Sequence, residues 1–344
     1  MTASRSTTLR RQAPASSPPR VLISGAVCFE FVSEFAGIMH ERTTAQRGVC
    51  VDWTIRLPAS ARRYGGSAGN IAYNLRFLGD CGAPVACVGK DAEPYLDWLL
   101  AHGMSTRWIS MSEQAPTARA SIVVDADRNR ITAVHDGAMD AAHLHGIGAA
   151  DGIEVGVITP GASATMLRHA DDLARAGVPL LFQPGHTLAQ FDGEELRAWI
   201  ERASWIVVDE RDLRSLRERT GQSERRLAAQ VRALIVMRGP DGCLIRAGGD
   251  TYEIPPARVY RAADPIGCGD AHRAGLLHGI LHGLDWPSSG RIASLMAAIA
   301  MESRGSQSHR FTRSEFYTRY LQNFGVRLRP AAMRRADVLA FRAR

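Results

Sequence analysis

One feature constrains this chain more than any other. Short apolar runs alternate with stretches of helical period through most of its length. The runs are 21–24, 84–88, 155–159, 179–183, 205–208 and 233–237. Helix-period segments lie between them, near 70–78, 92–102, 163–176, 193–202 and 223–231. This alternation predicts an α/β fold: a central, mostly parallel sheet with helices on both faces. Ligands in such sheets bind beyond the carboxyl ends of the strands.

Two stretches break the rhythm. Residues 31–63 lack a clear helix, and 49–57 alternates through Val51, Trp53, Ile55 and Leu57. Residues 117–135 read as two strands, 119–124 and 130–135, around a turn. These pieces predict a small sheet, either a lid over the strand ends or an edge extension of the main sheet.

The chain has 344 residues, 45% of them apolar, enough for one large α/β domain or two smaller ones. It has no run of 18 apolar residues, so no membrane helix is expected. Its basic residues are lopsided, with Lys90 the only lysine against 41 arginines. Gly89-Lys90-Asp91 does not fit a P-loop, and Schiff-base chemistry would have to use Lys90. Any phosphate must be held by arginine, backbone N–H groups or a metal.

The net charge of +7 sits in the tails. Residues 1–20 carry +4 and 327–344 carry +5, which leaves the body, 21–326, at −2. Such tails read as solvated extensions rather than nucleic-acid arms, the first of them disordered. Six cysteines form no C-x-x-C pair and no signal-peptide core is present, so a reduced, cytoplasmic protein is expected.

The segment Asp264-Pro-Ile-Gly-Cys-Gly-Asp270-Ala-His-Arg-Ala-Gly turns helical after Gly269. A glycine turn entering a helix aims several N–H groups and the positive dipole end at one point, an anion site. Asp270 stands at its rim, where a carboxylate can take a proton from a hydroxyl. That pairing suits phosphoryl transfer to an alcohol. The plainer reading is an Asp N-cap after a glycine turn. A second segment, Gly65-Gly-Ser-Ala-Gly-Asn70 through Gly79, again places bare backbone before a helix. Ile71, Leu75 and Leu78 form its apolar stripe and Gly79 its C-cap. The amide of Asn70 can donate and accept, as a polyol requires.

Together the two segments resemble the two signatures of the ribokinase-like (PfkB-type) carbohydrate and nucleoside kinases. The order and the separation of about 200 residues also fit. Residues 68–75, 131–139 and 304–309 look most like the bacterial adenosine kinase branch. The resemblance implies a ribokinase-like fold with a β lid at 31–63 and 117–135. It implies transfer of the γ-phosphoryl of ATP, with Mg2+, to the 5′-hydroxyl of adenosine or a related purine nucleoside. A sugar kinase of the same fold and a weakened nucleoside-binding pseudoenzyme are the alternatives. Neither nucleic acid nor a membrane is an expected partner, and monomer and homodimer both stay open.

The resemblance also assigns residues. Asp270 matches the catalytic base, and Gly267, Cys268 and Gly269 match the backbone anion hole. Glu30, Gly65, Gly66 and Asn70 match positions that hold substrate hydroxyls. Arg238, Gly239 and Gly242 match the loop beside the nucleotide. Asp209 and Asp212 occupy the place of the family's N-x-x-E, which organises metal and phosphate. Four positions depart from the pattern: Glu30 for Asp, the D-x-x-D at 209–212, Ile266 for Thr, and Ser308 for an Asn near the nucleotide. Arg130, on the second lid strand, is expected to meet the γ-phosphate charge, or else simply to face solvent. Cys268 at a helix N-terminus is expected to have a lowered thiol pKa, although it reads first as a small packing residue whose N–H matters. His135, His143 and His145 are too irregularly spaced for a metal site.

Overall fold

The computed structural model describes residues 18–39, 56, 57, 59–127, 129–144, 146–148 and 150–328. The tail residues 1–17 and 329–344 and the alternating stretch 49–55 lie outside them. The chain begins with β1 (Val21–Ser24), then makes an excursion through β2 (Cys28–Glu34) and β3 (Ser60–Gly65). It continues through α1 (Ser67–Leu78), β4 (Gly82–Gly89), α2 (Glu93–Ala101) and β5 (Ile109–Ser112). A second excursion is β6 (Arg119–Val124) and β7 (Arg130–His135). The rhythm resumes with β8 (Val155–Ile158), α3 (Ser163–Arg175), β9 (Leu180–Phe182), α4 (Gly193–Arg202) and β10 (Trp205–Asp209). Then come α5 (Glu210–Thr220), α6 (Glu224–Ala229), β11 (Ala233–Met237), β12 (Cys243–Ala247) and β13 (Asp250–Ile254). Three helices follow: α7 (Cys268–Leu281), α8 (Trp286–Met301) and α9 (Arg313–Phe324).

Nine strands form the main sheet in the order β13-β12-β11-β10-β9-β8-β1-β4-β5. The pairings from β11 across to β5 are parallel, and the β12–β13 hairpin adds an antiparallel edge. Successive side chains go to opposite faces. Val21, Ile23, Val207 and Ile235 enter one core with α1, α2 and α7, while Leu22, Ile206, Val208 and Leu234 enter another with α3 and α4. Strand order reverses between β1 and β8, and such a switch point opens a crevice at the carboxyl ends.

The two excursions make their own four-stranded sheet, β3-β2-β6-β7, so they form a lid rather than an edge extension. It starts earlier than the lid expected from residue 31, because β2 runs from Cys28 and pairs Glu30 with Arg63 on β3. Lid strand β7 is exposed throughout. No helix among the described residues is long and apolar enough to cross a membrane. Cys28, Cys81, Cys87, Cys243 and Cys268 are free thiols.

Candidate active site

Helix α7 begins on Gly267, whose φ of +83° is a left-handed conformation that glycine adopts without strain. A Cβ there would lie 2.5 Å from that of Ser306, so bare backbone is required on steric grounds as well. The turn is held from outside the helix. Asp264 accepts from the Ile266 N–H at 3.0 Å and the Gly305 N–H at 3.1 Å, and pairs with Arg63 on the lid at 2.6 Å. The anion site is thereby fastened to β3.

Asp270 is not a cap. The α7 N-terminus has no side-chain cap, and Asp270 turns inward with its side chain 12% exposed. Its Oδ2 accepts from Asn70 Nδ2 at 2.9 Å and its Oδ1 from Arg273 Nη1 at 3.1 Å. Burial pushes this carboxyl above its usual range, while the charge of Arg273 and the Asn70 hydrogen bond oppose that. The result is an oriented carboxylate beside an anion site. It retains the geometry of a base and has gained basicity from burial.

Asn70 lies in the first turn of α1, at the other wall. Gln307 donates to its Oδ1 at 3.0 Å and to Tyr95 Oη at 2.6 Å, and the Tyr95 hydroxyl donates to the Gly65 carbonyl at 2.8 Å. Trp98 Nε1 donates to Gln307 Oε1 at 3.1 Å. The Asn70 amide is therefore fixed with its NH2 toward Asp270.

Glu30 is buried at 6% exposure. It accepts from Ser306 Oγ at 3.2 Å and from the Gly66 N–H at 3.4 Å. Desolvation, reinforced by the charges of Asp270 and Asp264, raises it to about 7. A Cβ at Gly65 would sit 2.0 Å from Glu30 Oε1, so Gly65 makes the room this longer acid needs.

Asp209, the last residue of β10, caps α5 by accepting from the Asp212 N–H at 2.7 Å. Burial and the neighbouring Asp209 raise the Asp212 carboxyl, and the charges of Arg211 and then Arg273 oppose this. The Arg273 guanidinium pairs with Asp270, and its charged form is also favoured by the charges of Asp212 and Asp209. Arg238 follows β11, and its N–H donates to the Gly242 carbonyl at 2.8 Å across the 239–241 turn. Asp209 and Arg238 stand side by side at the carboxyl ends of the parallel strands β10 and β11. Ser308 donates to the carbonyls of Arg304 and Gly305, each at 2.8 Å, and so holds the 304–308 turn. Arg130 is exposed on β7, and its charge reaches the Cys268 thiol.

One expectation is overturned. Burial, with Asp264 and Asp270 nearby, pushes the Cys268 thiol up to about 12. Desolvation and two anions outweigh the dipole of the helix N-terminus. Sequence reasoning did not assign Arg63, Tyr95, Arg273, Ser306 or Gln307. Arg273 carried a usable signal: a charge three residues after Asp270 on a helix otherwise buried from Ala271 to Leu277. His135 is exposed on β7, while the side chain of His143 and all of His145 lie outside the described residues.

The pfkB family of carbohydrate kinases matches residues 38–312. This chain belongs to that family. It is a phosphotransferase with an alcohol acceptor. A solved nucleoside kinase of Burkholderia thailandensis, in complex with inosine, is 39% identical. That match covers 90% of this chain and all of the other, at a TM-score of 0.84. The same kinase has been solved with ADP and inosine. A nucleoside kinase of Methanocaldococcus jannaschii is 28% identical over 74% of this chain and 85% of its own length. The adenosine kinase of Sinorhizobium meliloti, at 18% identity over 85% of this chain and 96% of its own, with a TM-score of 0.66, shares the fold. The likeness to nucleoside kinases is thus stronger than the likeness to that adenosine kinase.

Proposed function

We propose that this protein is an ATP-dependent purine nucleoside kinase that phosphorylates the 5′-hydroxyl. The observation that carries the reading is the placement of Asp270, held by Asn70 and Arg273 at the mouth of the Gly267 turn. Inosine in the 39% identical relative supports a nucleoside over a free sugar, and ADP in the same relative supports ATP as donor.

Glu30 and Asn70 hold the ribose hydroxyls and set the 5′-oxygen against Asp270. Asp270 takes the hydroxyl proton as that oxygen bonds the γ-phosphorus. The bond from phosphorus to the bridging oxygen breaks, and ADP leaves with its electron pair. The N–H groups of the 267–269 turn, with Arg130, meet the charge on the moving phosphoryl group. The lid excludes water, so that the nucleoside is the acceptor.

The family implies magnesium. Asp209 and Asp212 fit it in donor chemistry: both are oxygen ligands, and the Asp212 carboxyl, raised by burial and then by the neighbouring Asp209, is one whose charged form a hard cation would favour. When bound, that ion supplies charge neutralisation to the phosphates of ATP.

The test is a substrate panel of inosine, adenosine, guanosine, cytidine, ribose and fructose, with ATP and Mg2+ and coupled detection of ADP. Purine nucleosides are expected to lead in kcat/KM. A preference for ribose or fructose would move the assignment to the sugar kinases, and turnover of no member would contradict it.

A further inference from the structure

At the opposite end of α7, away from Asp270, three metal-ligating side chains converge. His278, in the last turn of α7, and His282, its C-cap residue, stand four residues apart. Asp80 follows directly on the Gly79 C-cap of α1 and points between them. His278 Nδ1 lies 2.6 Å from Asp80 Oδ2, and His282 Nε2 lies 2.9 Å from Asp80 Oδ1. One ligand atom from each of the three falls within 4.8 Å of the others. We propose that Asp80, His278 and His282 bind a borderline-soft divalent transition-metal ion, Zn2+ being the best match.

Two imidazole nitrogens at i, i+4 and one carboxylate oxygen are the donor set that Zn2+ takes, with water in the fourth position. An ion about 2.1 Å from each donor needs them roughly 3.4 Å apart, and the three donor atoms already lie within 4.8 Å of one another. The Asp80 side chain is 2% exposed, whereas His282 is 27% exposed, which gives an ion a path in. The surroundings also suit a cation. The cluster sits at the carbonyl end of α7, where the helix dipole favours positive charge. Arg20 reaches Asp80 only at 3.5 Å and directs its stronger contacts to Glu154, at 2.6 and 3.0 Å, and to the Leu281 carbonyl at 3.0 Å.

The placement gives the ion a structural effect. α1 presents Asn70 and α7 presents Asp270 from their N-terminal turns, and those two side chains meet at 2.9 Å. The ion would clasp the C-terminal ends of the same two helices.

The test uses the full chain without an affinity tag, stripped with a chelator and free of nucleotide. Zn2+ is titrated by calorimetry, Co2+ by visible absorption, and Mg2+ in parallel. One Zn2+ per chain is expected, with a raised unfolding midpoint and a tetrahedral Co2+ spectrum, while Mg2+ has no such effect. His282→Gln, at the most exposed ligand, and His278→Gln are each expected to weaken Zn2+ binding by about 100-fold or more, with circular dichroism confirming an intact fold. Absence of Zn2+ binding, or binding unchanged in both variants, would overturn the proposal. Kinase activity is not the readout, so this outcome leaves the proposed function untouched.

Discussion

Arg273 lays its guanidinium against the carboxylate of Asp270, Nη1 to Oδ1 at 3.1 Å, three residues further along the same helix. Both side chains are nearly enclosed, at 10% and 12% exposure. The contact decides how basic Asp270 is, because burial alone drives the carboxyl toward its neutral form. Removing the guanidinium in Arg273→Met therefore raises that carboxyl further. The acidic limb of the pH profile of kcat/KM is expected to move to higher pH, and turnover at neutral pH to fall by about tenfold or more. A limb that stays in place would show that Arg273 is only a packing residue.

Gly65→Ala puts a methyl group where Glu30 Oε1 now lies, 2.0 Å from its position. The carboxylate must move off its site beside the Gly66 N–H. Nucleoside affinity is expected to drop by about tenfold or more, the scale of a lost hydrogen bond to a charged group. Calorimetric titration with inosine checks this directly.

Glu30 also makes stability depend on pH. Its carboxyl is raised from an ordinary 4.5 to about 7, so between those values the folded chain holds a proton that the unfolded chain has lost. The stabilisation is complete below pH ~4.5, declines as pH rises, and is gone above ~7, a change of up to about 3 kcal/mol. Denaturant unfolding across this range should show the decline in the wild type, and Glu30→Gln should flatten it. Equal slopes in the two proteins would contradict the assignment.

The residues that the sequence made legible are those whose signal is local. The runs at 21–24 and 233–237 became strands, and Gly79 caps α1 in a left-handed conformation with φ of +88°. The glycine turn before Asp270 was equally visible, because a turn and a helix start are written in consecutive residues. What was not legible depends on pairs far apart in the chain. Gln307 and Asn70 are 237 residues apart, and Arg63 and Asp264 are 201 apart. No spacing rule joins such partners. The Cys268 thiol was misread because burial, which comes from tertiary packing, raises it most, and the adjacent Asp264 and Asp270 add to that.

Arg130 tests the lid. It lies on the exposed lid strand β7. Arg130→Ala is expected to lower kcat at saturating ATP by about tenfold or more while inosine affinity changes little. Unchanged turnover would return Arg130 to the role of a solvent-facing strand residue.

The central claim is that Asp270 is the base that delivers a nucleoside hydroxyl to phosphorus. Asp270→Asn keeps the shape and the hydrogen-bonding reach toward Asn70 but removes the proton acceptor. Single-turnover phosphorylation of inosine by this variant, measured beside its inosine affinity, is the most direct test. The account predicts a rate lower by about 10²–10⁴-fold with affinity within a few-fold of the wild type. A near-normal rate would contradict it.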